Sequence, residues 1–319
     1  MSAKKLVASL ERIDPRIETP LQQIMGSFHI RYSYYRAAET RLAGDSGQDY
    51  FVWKQQKNSF IFALCDGVSM SFFGEIAAQL LGDFLIDCLS IEELNGYEDH
   101  LLLQKKLQQL LHDYTFHASE QVSKYQLPKG IPNVLNEVLE EKRVLGSETT
   151  FVCGRIDLPD SSHPNGKIML AWLGDSRLQI WDSEKELNVL GETFISSERW
   201  STKRGCIGHE PHVLIRPLIT PSNQINRIVA YSDGLTILDD LPHILDNELL
   251  QVQIIKAAMN PTSDDISLFE VGWNNRKQAQ VVESRIIASE VLEFSSRTRK
   301  RRPSKSVIKR LLTFFKWSK

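Results

Sequence analysis

Aspartates at the ends of strand-like runs constrain this chain more than any other feature. Gln48-Asp49, Cys65-Asp66-Gly67, Ser232-Asp233-Gly234 and Ser263-Asp264-Asp265 each lie beside a run that reads as a β-strand. A carboxylate at such a position is costly unless something compensates its charge. Four that converge would cradle hard cations, which take oxygen ligands. Such a chain is a candidate metal-dependent hydrolase.

The runs themselves suggest an α/β sandwich. Tyr50 to Trp53 and Ser59 to Cys65 are rich in aromatic and β-branched residues, and the polar stretch from Gln55 to Asn58 joins them as a hairpin. Ile76, Ala77, Leu80, Leu81, Phe84, Leu85, Cys88 and Leu89 recur at helical spacing. A second helix is expected over about 97–125, where Leu103, Leu107, Leu110, Leu111 and Tyr114 form a core-facing stripe, and Leu127-Pro128-Lys129-Gly130 breaks it. Strand composition returns in Thr149 to Ile156, Lys167 to Leu173, Arg177 to Trp181, Val213 to Arg216, Arg227 to Ser232 and Ile266 to Trp273. Residues 1 to about 25 have weak periodicity and read as a leader or an early strand.

At 319 residues the chain can bury a sizeable core in one large domain or two small ones. No run of 18 or more apolar residues occurs, so no transmembrane helix is expected. The first ten residues lack the apolar core of a secretory signal. Cys65, Cys88, Cys153 and Cys206 are widely spaced and fit free thiols in a reducing cytosol. Neither a G-x-x-x-x-G-K-[ST] loop nor a G-x-G-x-x-G after a strand is present, so nucleotide binding has no support. No cysteine is followed six positions later by arginine, which argues against a thiolate phosphatase.

Singly, Asp-Gly is a common turn dipeptide. The ordered combination is more specific. Gly47-Gln48-Asp49, Ala63 to Gly67, Gly146-Ser147-Glu148-Thr149-Thr150, Trp172-Leu173-Gly174-Asp175-Ser176-Arg177, Tyr231 to Leu235 and Ser263 to Ser267 together resemble the type 2C metal-dependent serine/threonine protein phosphatases. Gly74-Glu75-Ile76-Ala77-Ala78 is similar to a bacterial branch of that family. The resemblance implies an α+β fold, a four-layer α-β-β-α sandwich of two antiparallel sheets flanked by helices. It also implies a phosphatase domain over 26–275, after a leader at 1–25 and before a C-terminal tail at 276–319. Asp66 would bridge two Mn²⁺ or Mg²⁺ ions, with the Gly67 carbonyl on one of them. Asp233 and Asp264 would complete the second, Asp264 being preferred to the adjacent Asp265. Asp49 would orient metal-bound water, and Asp175 would help hold a third, weaker ion. A metal-bridging hydroxide would attack phosphoserine or phosphothreonine in line, without a covalent intermediate.

Two positions depart from the family pattern. Gly44 stands where many members carry a phosphate-gripping arginine, which leaves Arg41 as the candidate and Arg36 as a weaker one. Val68 follows the bridging Asp-Gly where some relatives have histidine, so leaving-group protonation would fall to metal-bound water. Elsewhere, Cys206-x-x-His209-x-x-His212 has spacing that suits zinc. With no fourth ligand apparent and Pro211 interrupting any helix, the segment reads instead as a flap beside the active site.

Charge divides the chain. Arg297 to Lys319 holds ten Lys or Arg and no Asp or Glu, and removing these from the net charge of −2 leaves −12 on the remainder. Gln278 to Phe294 could be a helix, followed by a basic, polar stretch to Ser306. In a helical 307–319, Val307, Ile308, Leu311, Leu312, Phe314 and Phe315 would share one face. That pattern suits an anionic membrane surface or the groove of a protein partner. Nucleic acid ranks lower, because an acidic body repels phosphates. The whole reads as a cytoplasmic signalling phosphatase acting on phosphoproteins, peripheral to the membrane through its tail. The alternative is a non-catalytic module of the same fold that docks partners or membrane through the tail.

Overall fold

Strands that are apolar on both faces need a layer on each side, and this chain supplies four layers. The structure, a computed structural model, describes residues 9–274 apart from 162, 184, 192, 240 and 242. β1 (Ser9–Arg12), β2 (Thr19–Ile24) and β3 (Phe28–Tyr35) lead through α1 (Ala38–Ala43) to the hairpin β4 (Tyr50–Gln55) and β5 (Ser59–Gly67). Four helices follow: α2 (Gly74–Ser90), α3 (Glu92–Asn95), α4 (His100–Lys124) and α5 (Asn133–Leu145). Then come β6 (Glu148–Asp157), β7 (Lys167–Leu173), β8 (Arg177–Asp182) and β9 (Lys185–Glu186). β10 (Arg199–Ser201), β11 (Gly205–Ile207), β12 (His212–Arg216) and β13 (Arg227–Tyr231) precede a 3₁₀ segment at Asp233–Leu238, α6 (Asn247–Ala258) and β14 (Ile266–Trp273).

Among the described residues all the strand pairs are antiparallel. One sheet runs β1-β4-β5-β6-β10-β11, with β7 and β12 continuing from β6. The other runs β2-β3-β14-β13-β8-β9. Rings close the space between them. Phe28 of β3 meets Phe60 of β5 at 5.1 Å, and Tyr32 meets Trp53 of β4 at 5.0 Å. Phe269 of β14 lies 5.3 Å from Phe62, 5.7 Å from Phe60 and 5.9 Å from both Phe51 and Trp53.

The alternate residues of β4 face the other way. Tyr50 and Val52 meet α2 at Gly82, where an added Cβ would lie 2.8 Å from the Tyr50 ring. α2 also covers β5 and β6, and α4 covers β11 and β12 through its buried Leu103, Leu107 and Leu111. α6 lies against β2 and β14 of the second sheet, burying Leu250, Ile254 and Ala258. These helices form the outer layers of the sandwich.

Antiparallel pairing also gathers the acidic segments. Asp49 immediately precedes β4, Asp66 is the next-to-last residue of β5, and Tyr50 pairs with Cys65. Phe151 at the start of β6 pairs with both Cys65 and Leu173, so the β7–β8 connection carrying Asp175 leaves from the same end of the first sheet. In the second sheet Tyr231 pairs with Leu268 and with Arg177, which puts Asp233, Asp264 and Asp175 at one end there too.

The expected hairpin, the two helices and the six later strands are present, with limits moved by a few residues. Residues 9–24 take the strand alternative: β1 pairs with β4 and β2 with β3, so both sheets begin before position 26. β3, α5, α6 and the β10–β11 hairpin lie in stretches without an expected element. The expectations for 276–319 fall outside the described residues. None of the described helices is long and apolar enough to cross a membrane.

Phe269 joins the two sheets and is 1% exposed. Phe269→Ala should therefore cost about 3–5 kcal/mol of stability, read as a lower midpoint in urea unfolding. An unchanged midpoint would mean that the inter-sheet rings contribute little.

Candidate functional site

Backbone contacts set the positions of the acidic segments. A Cβ on Gly67 would lie 2.5 Å from the Gly74 carbonyl carbon and 2.8 Å from the Gln48 oxygen, and one on Gly74 would lie 2.6 Å from the Gly67 carbonyl carbon. Only glycine at both positions lets the end of β5 touch the start of α2. On Gly234 a Cβ would sit 2.1 Å from the Asp265 oxygen. The two Asp-Gly pairs are thus places where a neighbouring main chain occupies the side-chain space, rather than ordinary turns.

Gly146 to Thr150 supplies the hydrogen bonds at the same corner. The Ser147 hydroxyl donates to the Phe73 carbonyl at 2.8 Å and accepts from the Ala77 N–H at 3.0 Å, which anchors the first turn of α2. The Thr149 hydroxyl donates to the Asp66 carbonyl at 2.7 Å. Thr150 and Ser176 link their hydroxyls at 2.9 Å, tying β6 to the loop that carries Asp175.

The six aspartates differ in environment. Asp265 is 4% exposed and accepts main-chain N–H groups on both oxygens: Ala37 on Oδ1, Gln48 and Asp49 on Oδ2. It ties β14 to the corner that leads into β4. Its neighbour Asp264 is exposed, with Oδ1 accepting the Asp265 N–H at 2.8 Å. Asp49 is 1% exposed, and no donor meets either of its carboxylate oxygens at hydrogen-bonding geometry.

Burial, then the charge of Asp265, pushes the Asp49 carboxyl well above the usual range, and the Ser232 and Ser267 hydroxyls offset this only in part. Asp66 is raised in the same way, by burial and then by Asp49, Asp233, Asp264 and Asp175. Asp233 is pushed up to about 6 by burial, Asp264 and Asp175, against the opposing pull of Arg177 and the Gly234 N–H. Burial also raises Asp265, while its three N–H donors lower it.

Asp49, Asp66, Asp175, Asp233 and Asp264, with the main chain of Gly67, therefore meet at one end of the sandwich. Arg41 does not join them. Its guanidinium donates to the carbonyls of Arg36 and of Ala258 at the end of α6. Arg36 is engaged by Glu18 and by the Asp45 carbonyl. The cation that acts on Asp233 is Arg177, which also donates to Asp239 at 3.1 Å and to the Asp175 carbonyl. Its only signal in the sequence is its place at the end of the Gly174-Asp175-Ser176 segment.

The donor set suits hard divalent cations, because it is made of carboxylate and carbonyl oxygen. The unpartnered oxygens of buried Asp49 and the crowding around Asp66 are what a cluster built around cations leaves behind.

No curated protein sequence matches the chain significantly. Among solved structures it is similar to the serine/threonine phosphatase Stp1 from Staphylococcus aureus, at 16% identity over 81% of this chain and 97% of that one, with a TM-score of 0.49. The S. agalactiae serine/threonine phosphatase is 15% identical over 83% of this chain and all of that one (100%), with a TM-score of 0.47. A bacterial serine phosphatase bearing an arginine substitution is 19% identical over 76% and 96%, with a TM-score of 0.48. Residues 37–268 match the sequence profile of protein phosphatase 2C, a span that holds Asp49, Asp66, Asp175, Asp233 and Asp264, and the chain accordingly belongs to the protein phosphatase 2C family.

Proposed function

We propose that this protein is a metal-dependent phosphatase that hydrolyses phosphoserine and phosphothreonine in proteins. The observation that carries the reading is the convergence of carboxylates whose charges the surrounding protein does not balance. Asp66 would bridge two ions, and the Gly67 carbonyl would bind one. Asp233 and Asp264 would hold the second. The choice of Asp264 over Asp265 is supported by the three N–H donors that occupy Asp265. Asp175 would take part in a third, weaker site. When bound, Mn²⁺ or Mg²⁺ supplies the Lewis acidity that makes a water nucleophilic near neutral pH and offsets charge on the phosphoryl oxygens.

The remaining work falls to the chain. Asp49, whose oxygens have only the nearby Ser232 and Ser267 hydroxyls beside them and no donor in full hydrogen-bonding geometry, is suited to accept hydrogen bonds from the attacking water and orient it. The Thr149 hydroxyl fixes the Asp66 main chain, and the contact of Gly67 with Gly74 removes slack at the same point. Arg177 limits the repulsion at Asp233 without entering a full ion pair with it. Together these hold the reacting groups in register before substrate arrives.

Asp66→Asn and Asp233→Asn should each lower Mn²⁺-dependent turnover of an aryl phosphate by about a hundredfold or more. Full activity in either variant, or no turnover by the parent at millimolar Mn²⁺, removes the catalytic reading and leaves a binding module. A phosphopeptide panel then separates protein substrates from small phosphorylated molecules.

The same carboxylates make metal-free stability depend on pH. Asp233 titrates near 6 when folded, against 3.8 ordinarily. Between those values the folded state holds more protons than the unfolded state, so stability falls as pH rises. Asp49, Asp66 and Asp265 shift in the same direction. Thermal unfolding after chelation should show Tm dropping across this window. Asp233→Asn should flatten the drop, and Mn²⁺ at neutral pH should reverse it. A Tm that climbs through the window would contradict the proposed crowding.

The basic run from Arg297 to Lys319 supports attachment to an anionic membrane surface. Truncation at about residue 295 should abolish flotation with anionic vesicles, and equal flotation of both forms would exclude the anchor.

A further inference from the structure

Three metal-binding side chains meet outside the carboxylate cluster. Glu198 precedes β10, His209 lies in the turn between β11 and β12, and His212 begins β12. One ring nitrogen from each histidine and a Glu198 oxygen all lie within 4.8 Å of one another. His212 Nε2 is 3.0 Å from Glu198 Oε2. The two imidazoles stack at 4.7 Å between centroids with planes 2° apart, so their in-plane lone pairs run parallel and one ring must turn for both to address a single ion. Cys206, the third member of the zinc-like spacing, is not in the group, and Glu198 takes its place.

Each group is held in a manner that suits ligation. Glu198 is 4% exposed, and a bare carboxylate there needs a cationic or hydrogen-bonding partner. His212 stacks on Trp172 at 5.4 Å, which fixes its ring plane. The Glu210 carbonyl lies 2.7 Å from His209 Nδ1, which keeps the proton of a neutral imidazole on that nitrogen and leaves the lone pair on Nε2. His209 is exposed, so its ring has room to turn toward Glu198 and His212. In a tetrahedral site with metal–nitrogen distances of about 2.0–2.1 Å, neighbouring ligand atoms lie roughly 3.3 Å apart. The Glu198–His212 pair already stands near that spacing.

We propose that Glu198, His209 and His212 form a zinc site with an open fourth position. Two imidazoles and one carboxylate select Zn²⁺ over Mg²⁺, whereas the all-oxygen cluster has the opposite preference. The site would join two segments that already pack closely. A Cβ on Gly208 would lie 3.1 Å from the Ser197 oxygen and 3.2 Å from the Glu198 Cα. The segment before β10 also reaches the candidate active site, because the Ile195 N–H donates to the Gly174 carbonyl at 3.1 Å, next to Asp175. Zinc would staple the turn between β11 and β12 to that segment.

The test uses the full chain, stripped by chelation and equilibrated with millimolar Mg²⁺. Zn²⁺ is then titrated against a chromophoric competitor. One equivalent should bind tightly and resist Mg²⁺. His209→Gln, which alters an exposed side chain and leaves the Glu198–His212 bond in place, should weaken it at least about tenfold. Glu198→Gln should do the same. Co²⁺ in place of zinc should give the visible absorption of a four-coordinate ion in the parent and not in His209→Gln. Zn²⁺ should raise the Tm of the parent only. Zinc uptake that is unchanged in His209→Gln, that Mg²⁺ displaces, or that is lost in Asp66→Asn instead would overturn the proposal.

Discussion

Like-charge repulsion at one end of the sandwich is the constraint to which the rest of this structure answers. Asp49, Asp66, Asp175, Asp233 and Asp264 would separate if their loops were free to move. The loops are not free. Rings between the sheets hold the strands that carry them, with Phe269 touching Phe51, Trp53, Phe60 and Phe62. Asp265 turns one carboxylate into a fastener by collecting three main-chain N–H groups from the corner before β4. Hydroxyls of Ser147 and Thr149 secure the far side. Packing and hydrogen bonds thus hold together what repulsion between the carboxylates would push apart.

Much of this was legible in the residues, for reasons that can be given one by one. β4, β5, β6 and β14 are largely buried on both faces and are rich in aromatic and β-branched residues. β1 is exposed throughout and is recognised only through its pairing with β4, which no local pattern announces. β3 does alternate, with Phe28, Ile30 and Tyr34 buried, but charged and polar residues interrupt the pattern. α5 has an apolar stripe at helical spacing, Val134, Leu135, Val138, Leu139 and Leu145, although none of its residues is buried. Its attachment is Arg143, which reaches back to the carbonyls of Val122, Ser123 and Tyr125 at the end of α4. In α6 the buried Leu250, Ile254 and Ala258 are interleaved with the exposed Leu249, Val252 and Ile255, which blurs the period.

The site divides in the same way. Its aspartates stand out because charge at a strand end is unusual, and antiparallel pairing brings them together. The contrast between Asp264 and Asp265 is invisible to spacing, since it depends on amides from residues 37, 48 and 49. Arg41 is near Asp49 in sequence, yet the left-handed Gly44 ends α1 between them and the guanidinium donates to the Ala258 carbonyl at the α6 terminus. Arg177 acts on Asp233, far along the chain, and only the fold brings it into view.

The contact between Gly67 and Gly74 has a consequence for how this corner can change over time. Each glycine occupies the space that a side chain on the other would need, and in both directions the obstacle is main chain. Clashes between side chains can be relieved by shrinking the opposing residue, but no residue is smaller than glycine. Neither position can therefore compensate for a substitution at the other, and drift at this junction has no two-step route. The end of β5 and the start of α2 are bound to keep the same pair for as long as the helix begins where it does.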